Sequence, residues 1–124
     1  MAEDKKPRKK RICVDFDGTI VEHKFPAIGP VRKDVLKVLQ NWRDKGAHII
    51  ISSARSAKMF GGKDSEKFKE MVAFIKKEGI PHDEIDDGTI GKVVADLYLD
   101  DRALNALDHP WRDLDIIINR KVFK

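Results

Sequence analysis

The chain has little that could staple or anchor it. Its 124 residues include one cysteine, Cys13, so an internal disulfide is excluded and a cysteine-based metal site implausible, and stability must come from a buried apolar core. No apolar run approaches the roughly 20 residues that cross a bilayer. The charged N-terminus has no apolar centre of the secretory-signal kind, and the expectation is a cytoplasmic protein with no membrane partner. Histidine is scarce, and His23, His48, His82 and His109 are too scattered to show metal-ligand spacing.

Acidic excess is also lacking: the formal charge is +4. The positive charge is local, however. Lys5-Lys6-Pro7-Arg8-Lys9-Lys10-Arg11 holds six basic residues, and taking six from +4 leaves −2 for the rest. Residues 1–10 are expected to be a basic, disordered, solvated tail. Such a run can also attach nucleic acid or act as a targeting signal, so a nucleic-acid partner through residues 5–11 stands as an alternative. The mildly acidic body and the absence of aromatic-rich basic motifs argue against nucleic-acid binding as the main function.

At this length one domain is expected, over residues 11–124, without repeats. Ile12-Cys13-Val14 reads as a strand buried on both faces, and residues 18–30, with Gly18, Pro26, Gly29 and Pro30, as a loop or small hairpin flap. Val35, Val38, Leu39 and Trp42 follow the i, i+3, i+4, i+7 pattern of an amphipathic helix, and Gly46 stops it. His48-Ile49-Ile50-Ile51 is a second buried strand ending at Ser52-Ser53. Phe68, Met71, Val72 and Ile75 mark a second helix, entered through Gly61-Gly62 and closed by Gly79. A weak strand is placed near 82–86 and a clear one from Ala95 to Leu99, before Asp100-Asp101. From Trp111 onward, Ile116-Ile117-Ile118 leaves helix and edge strand both open. Alternating strands and helices of these lengths predict a three-layer α/β/α, Rossmann-like parallel sheet.

Asp15 and Asp17 follow the first strand, Ser52 and Ser53 the second, and Asp100 and Asp101 the last clear one. In an open parallel sheet the ligand crevice lies outside the carboxyl ends of the strands, where strand order reverses, so these residues should converge. Residues two apart on an extended backbone point to the same side, which aims Asp15 and Asp17 at one centre. Gathered carboxylates repel unless a cation neutralises them, and Mg²⁺, a hard ion with oxygen ligands, suits such a set. Lys92 supplies positive charge.

Asp15-Phe16-Asp17-Gly18-Thr19-Ile20, Ser53 within Ile51-Ser52-Ser53-Ala54-Arg55, Lys92, and the pair Asp100-Asp101 occur in the order of four motifs, and here the chain resembles the HAD (haloacid-dehalogenase-like) superfamily. The run from Ala95 to Arg102 is similar to that of small stand-alone members. The second motif carries serine where threonine is commoner, and Ser52 competes with Ser53 for its role. The resemblance implies a Mg²⁺-dependent phosphomonoester hydrolase in which Asp15 attacks phosphorus and becomes an aspartyl-phosphate. Asp17 would be general acid and base. It also implies a metal held by Asp15, Asp17 through its backbone carbonyl, and Asp100, with Asp101 at the metal through water or standing behind it. Ser53 and Lys92 would hold phosphoryl oxygens.

Other readings of the same residues are blander. Asp101 can be a turn residue or helix cap, Lys92 a surface lysine, and Arg55 either a contact for a substrate anion or the partner of a nearby carboxylate. A Cys-x5-Arg phosphatase loop on Cys13 would need arginine at 19, where Thr19 stands, so Cys13 reads as a small buried hydrophobe. Asp83 to Gly88 lacks the spaced ligands of a calcium loop and reads as a solvated turn. Two rival functions are a receiver-like phosphoacceptor domain, whose acidic pair would be expected early rather than late, and a polynucleotide-end phosphatase that uses the basic tail. The segments between motifs leave no room for a substantial cap domain. An open site fits a bulky or macromolecular phosphate, or a small one enclosed by a neighbouring subunit.

Overall fold

The computed structural model describes residues 8–123; the part of the expected tail before Arg8 lies outside the described residues. Strand β1 spans Arg11–Asp15, helix α1 Val35–Asp44, β2 His48–Ser52, α2 Glu66–Glu78, β3 Glu84–Ile85, β4 Leu97–Leu99 and α3 Trp111–Val122. The four strands form one parallel sheet in the order β3-β2-β1-β4. The three-layer α/β architecture therefore stands, without a cap.

Each strand pair fixes where the carboxyl ends fall. Asp15 lies opposite Ser52 in the β1–β2 register, and Val14 opposite Leu99 in β1–β4, so the residues that follow these strands leave the sheet at one edge. The chain steps from β1 to β2 to β3 in one direction. It then returns to lay β4 on the other side of β1, so strand order reverses between β1 and β4. Successive right-handed crossovers in one direction put their helices on one face of a sheet. Leu39 of α1 and Phe68, Met71 and Ile75 of α2 accordingly join Val14, Ile49 and Ile51 in a single buried cluster. Alternation sends Cys13 and Ile50 to the opposite face, where both are buried.

The ends of α2 follow from local chemistry, the glycine at its close as expected and a serine cap at its start that the sequence reading did not name. Ser65 accepts from the Phe68 amide at 3.1 Å and starts α2, and Gly79, in the left-handed region, ends it. The stretch from Trp111 is a helix, which resolves the open choice between helix and edge strand. The last clear strand is shorter than the expected 95–99: only Leu97–Leu99 pair with β1. At the other end of β1, the Lys10 carbonyl accepts from His48 N at 2.8 Å and Arg8 pairs with Asp96 at 2.8 Å, so the residue-10 boundary of the expected tail falls within hydrogen-bonded chain.

Candidate active site

Asp15 is the last residue of β1. Beyond it Phe16 N donates to the Ser52 carbonyl at 3.1 Å and the Phe16 ring is wholly buried, which fixes the backbone on both sides of the Asp15 side chain. The amides of Ile20 and Val21 both donate to the Phe16 carbonyl, at 3.0 and 3.2 Å, and Gly18 makes the turn with φ +86°. A Cβ at Gly18 would also run into the Asp101 carboxylate, so glycine serves both the turn and the close approach of the loop after β4.

That approach assembles a cluster of acids. One carboxylate oxygen from each of Asp15, Asp100 and Asp101 lies within 4.8 Å of the others. Burial, followed by the charges of Asp100 and Asp101, pushes the Asp15 carboxyl up to about 7, even though the Thr19 hydroxyl and the Phe16 amide pull it down. Thr19 Oγ1 donates to Asp15 Oδ2 at 3.3 Å, and the Arg102 amide donates to Asp100 Oδ1 at 2.7 Å. All three acids line a cavity of about 470 Å³ with Asp17, Ser52 and Ser53.

The sequence-derived residues other than Lys92 are thus brought together, with two rearrangements of role. Asp17 borders the cavity, but its carboxylate is engaged by Arg55: Nε donates to Oδ2 at 2.7 Å and Nη2 to Oδ1 at 2.8 Å. Of the two roles weighed for Arg55, pairing with a carboxylate is the one observed. The third carboxylate of the cluster is that of Asp101, which the resemblance places behind the expected metal or in contact with it only through water. Lys92 does not line the cavity; its ammonium lies 5.3 Å from the centre of the Tyr98 ring.

Ser53 caps the turn that follows β2, its Oγ accepting from the Arg55 amide at 3.0 Å. Ser52 Oγ instead accepts from the Cys13 thiol at 3.3 Å. Burial pushes that thiol up, as suits a small buried hydrophobe rather than a nucleophile. Three polar cavity residues were missed: Asp86, Arg102 and His23. Asp86 follows β3 at a carboxyl end, the same signal that found the others, but a two-residue strand gave little to anchor it. Arg102 Nη2 lies 2.8 Å from His23 Nε2, a contact across 79 residues that no local pattern announces.

No protein-family model matches the chain, and no curated protein matches it. Among solved structures, the chain is similar to one described as a conserved protein from Bacteroides thetaiotaomicron. The two share 28% identity over 94% of this chain and 95% of that one, with a TM-score of 0.61, so the likeness extends over nearly the whole α/β architecture.

Proposed function

We propose that this chain is a Mg²⁺-dependent phosphohydrolase of the HAD type that works through an aspartyl-phosphate on Asp15. The observation that carries the reading is the gathering of Asp15, Asp100 and Asp101 within 4.8 Å at the point where strand order reverses. Three carboxylates at this spacing, one of them raised to about 7, form a hard, all-oxygen donor set that a dication would relieve. Asp15, Asp100 and Asp101 would hold the ion, which when bound neutralises charge on the transferring group and polarises its oxygens.

The chain's own residues supply the rest. The Asp15 carboxylate, ionised once its neighbours' charges are offset, attacks phosphorus; its P–O bond forms as the bond to the leaving oxygen breaks. Ser53, on the cavity wall, offers a hydroxyl to the phosphoryl oxygens. Each Asp17 oxygen already accepts one bond from Arg55 but keeps a further lone pair. Asp17 is therefore well arranged to take a proton from the water that cleaves the acyl-phosphate, and must loosen one bond to Arg55 to protonate a leaving group.

A screen of phosphate esters with the full chain tests this. Turnover should vanish in chelator and return with Mg²⁺, Asp15→Asn should abolish it, and rapidly quenched enzyme should carry phosphate on Asp15 alone. Full activity in chelator, or label on another aspartate, would sink the reading.

A further inference from the structure

We propose that Arg55 is a positioning residue that couples the outer part of the flap, residues 22–30, to the Asp17 carboxylate, so that Asp17 is aimed at the reacting centre only while the flap is docked. This rests on the phosphohydrolase reading above. Arg55 is 0% exposed, and its donors divide between two parts of the chain. Towards the site, Nε and Nη2 hold the two oxygens of Asp17. Towards the flap, Nη1 donates to the Pro26 carbonyl at 3.2 Å and Nη2 to that of Ala27 at 3.1 Å. The guanidinium carbon also lies 4.9 Å from the centre of the Phe25 ring on the flap and 5.8 Å from that of Phe16.

The Arg55 backbone stands on a fixed platform. Its amide donates to Ser53 Oγ and its carbonyl accepts from Ser65 Oγ at 3.2 Å, which ties it to the end of β2 and the start of α2. The flap is anchored at its base by Glu22 N donating to the Pro30 carbonyl at 2.9 Å and by the Val21–Val31 bridge. Between those points most of its residues are exposed; it is held further by the Arg55 bonds, by the Phe25 ring, 5.4 Å from that of Phe60, by Ile28 against the core, and by His23, whose Nε2 lies 2.8 Å from Arg102 Nη2. A buried guanidinium that loses either set of partners is left with unsatisfied donors and an uncompensated charge, so undocking the flap weakens the hold on Asp17 and the reverse. Phe25, Phe60 and Asp17 all border the cavity, so substrate pressing on the flap would act on the same guanidinium.

The test is a double-mutant cycle on phosphate-ester turnover, with Arg55→Gln, Arg55→Lys, Asp17→Asn and the Arg55→Gln/Asp17→Asn pair, joined to amide exchange across the flap. General-base contributions run about 10²–10⁴-fold, so Arg55→Gln should cut kcat by about 100-fold with KM little changed, and Arg55→Lys should recover part of it. The double variant should be no slower than Asp17→Asn alone. In Asp17→Asn the flap amides should exchange faster while those of β1 and β2 keep their protection. Additive losses in the cycle, or a flap whose exchange ignores Asp17→Asn, would overturn the coupling. If Arg55→Gln alone does not fold, the lysine variant, the neutral pair and the exchange measurement still decide it. A wild-type protein that hydrolyses no phosphate ester would overturn the site reading and the coupling with it, a failure visible before any variant is made.

Discussion

Asp15 shows at the scale of one residue how the fold loads the site. Its carboxyl is raised from an ordinary 3.8 to about 7, so the folded chain binds that proton more tightly than the unfolded chain does. Without a cation, the stability this confers is complete below the ordinary carboxylate range and is lost as pH rises through about 7. Asp15→Asn removes the titration. In chelator above pH ~8, beyond most of that titration, the asparagine variant should therefore melt above wild type, and the gap should close in acid. Saturating Mg²⁺ should reverse the order, since the ion stabilises only the state that binds it. A wild-type Tm indifferent to Mg²⁺ at that pH would count against the cation site. Arg102 and Lys92 provide a second comparison, because Arg102 lines the cavity and Lys92 lies over Tyr98. Arg102→Ala should raise KM for phosphate esters by about 10-fold or more, in keeping with the loss of a charge-assisted bond, and by more than Lys92→Ala does. A larger defect for Lys92→Ala would restore the lysine to the role that the motif order suggests.

At the scale of elements, the residues after each strand matter as much as the strands. The chain after α2 is tied to β2 through Asp83, which accepts from Ile49 N at 2.7 Å and pairs with Arg43 at 3.1 Å. Burial would raise that carboxyl, but the Ile49 amide and Arg43 outweigh it and hold it below its ordinary value. The contribution is present above the ordinary carboxylate pKa and lost as pH falls through the depressed one. Asp83→Asn should cost about 1–2 kcal/mol in urea titrations near neutral pH, and less in acid, once the carboxyl is protonated in the folded chain. Equal costs at both would assign the effect to packing. The helices α1 and α2 were legible because each buries a stripe: Leu39 in one and Phe68, Met71 and Ile75 in the other. The helix α3 was not, for a physical reason. Its apolar triplet does not mark a face, since Ile116 and Ile118 are exposed and the buried residue is Leu114.

For the whole molecule, burial is uneven. Ile49, Ile50 and Ile51 of β2 are 0% exposed, whereas Leu97, Tyr98 and Leu99 of β4, and Trp111, Val122 and Phe123 in and after α3, are exposed. Elements with few buried apolar side chains open at lower free energy than the core. Amide exchange should therefore be slowest in β1, β2 and α2, and α3 should lose protection at lower denaturant than they do. Uniform protection would show that α3 belongs to the same cooperative unit. Among the described residues no helix is long and apolar enough to cross a membrane.

Local pattern was enough to determine the α/β class, the parallel sheet and the placement of Asp15, Ser53 and Asp100-Asp101 at strand ends, because period, caps and strand termini are written in neighbouring residues. The partners of those side chains were decided only by the tertiary structure. Arg55 claims Asp17 across 38 positions, Asp101 closes on Asp15 because Gly18 leaves it space, and Arg102 meets His23 from the far end of the chain. A charge takes its partner from whatever topology brings near, and the return of β4 to the far side of β1 is a property of the whole sheet that no stretch of sequence carries alone.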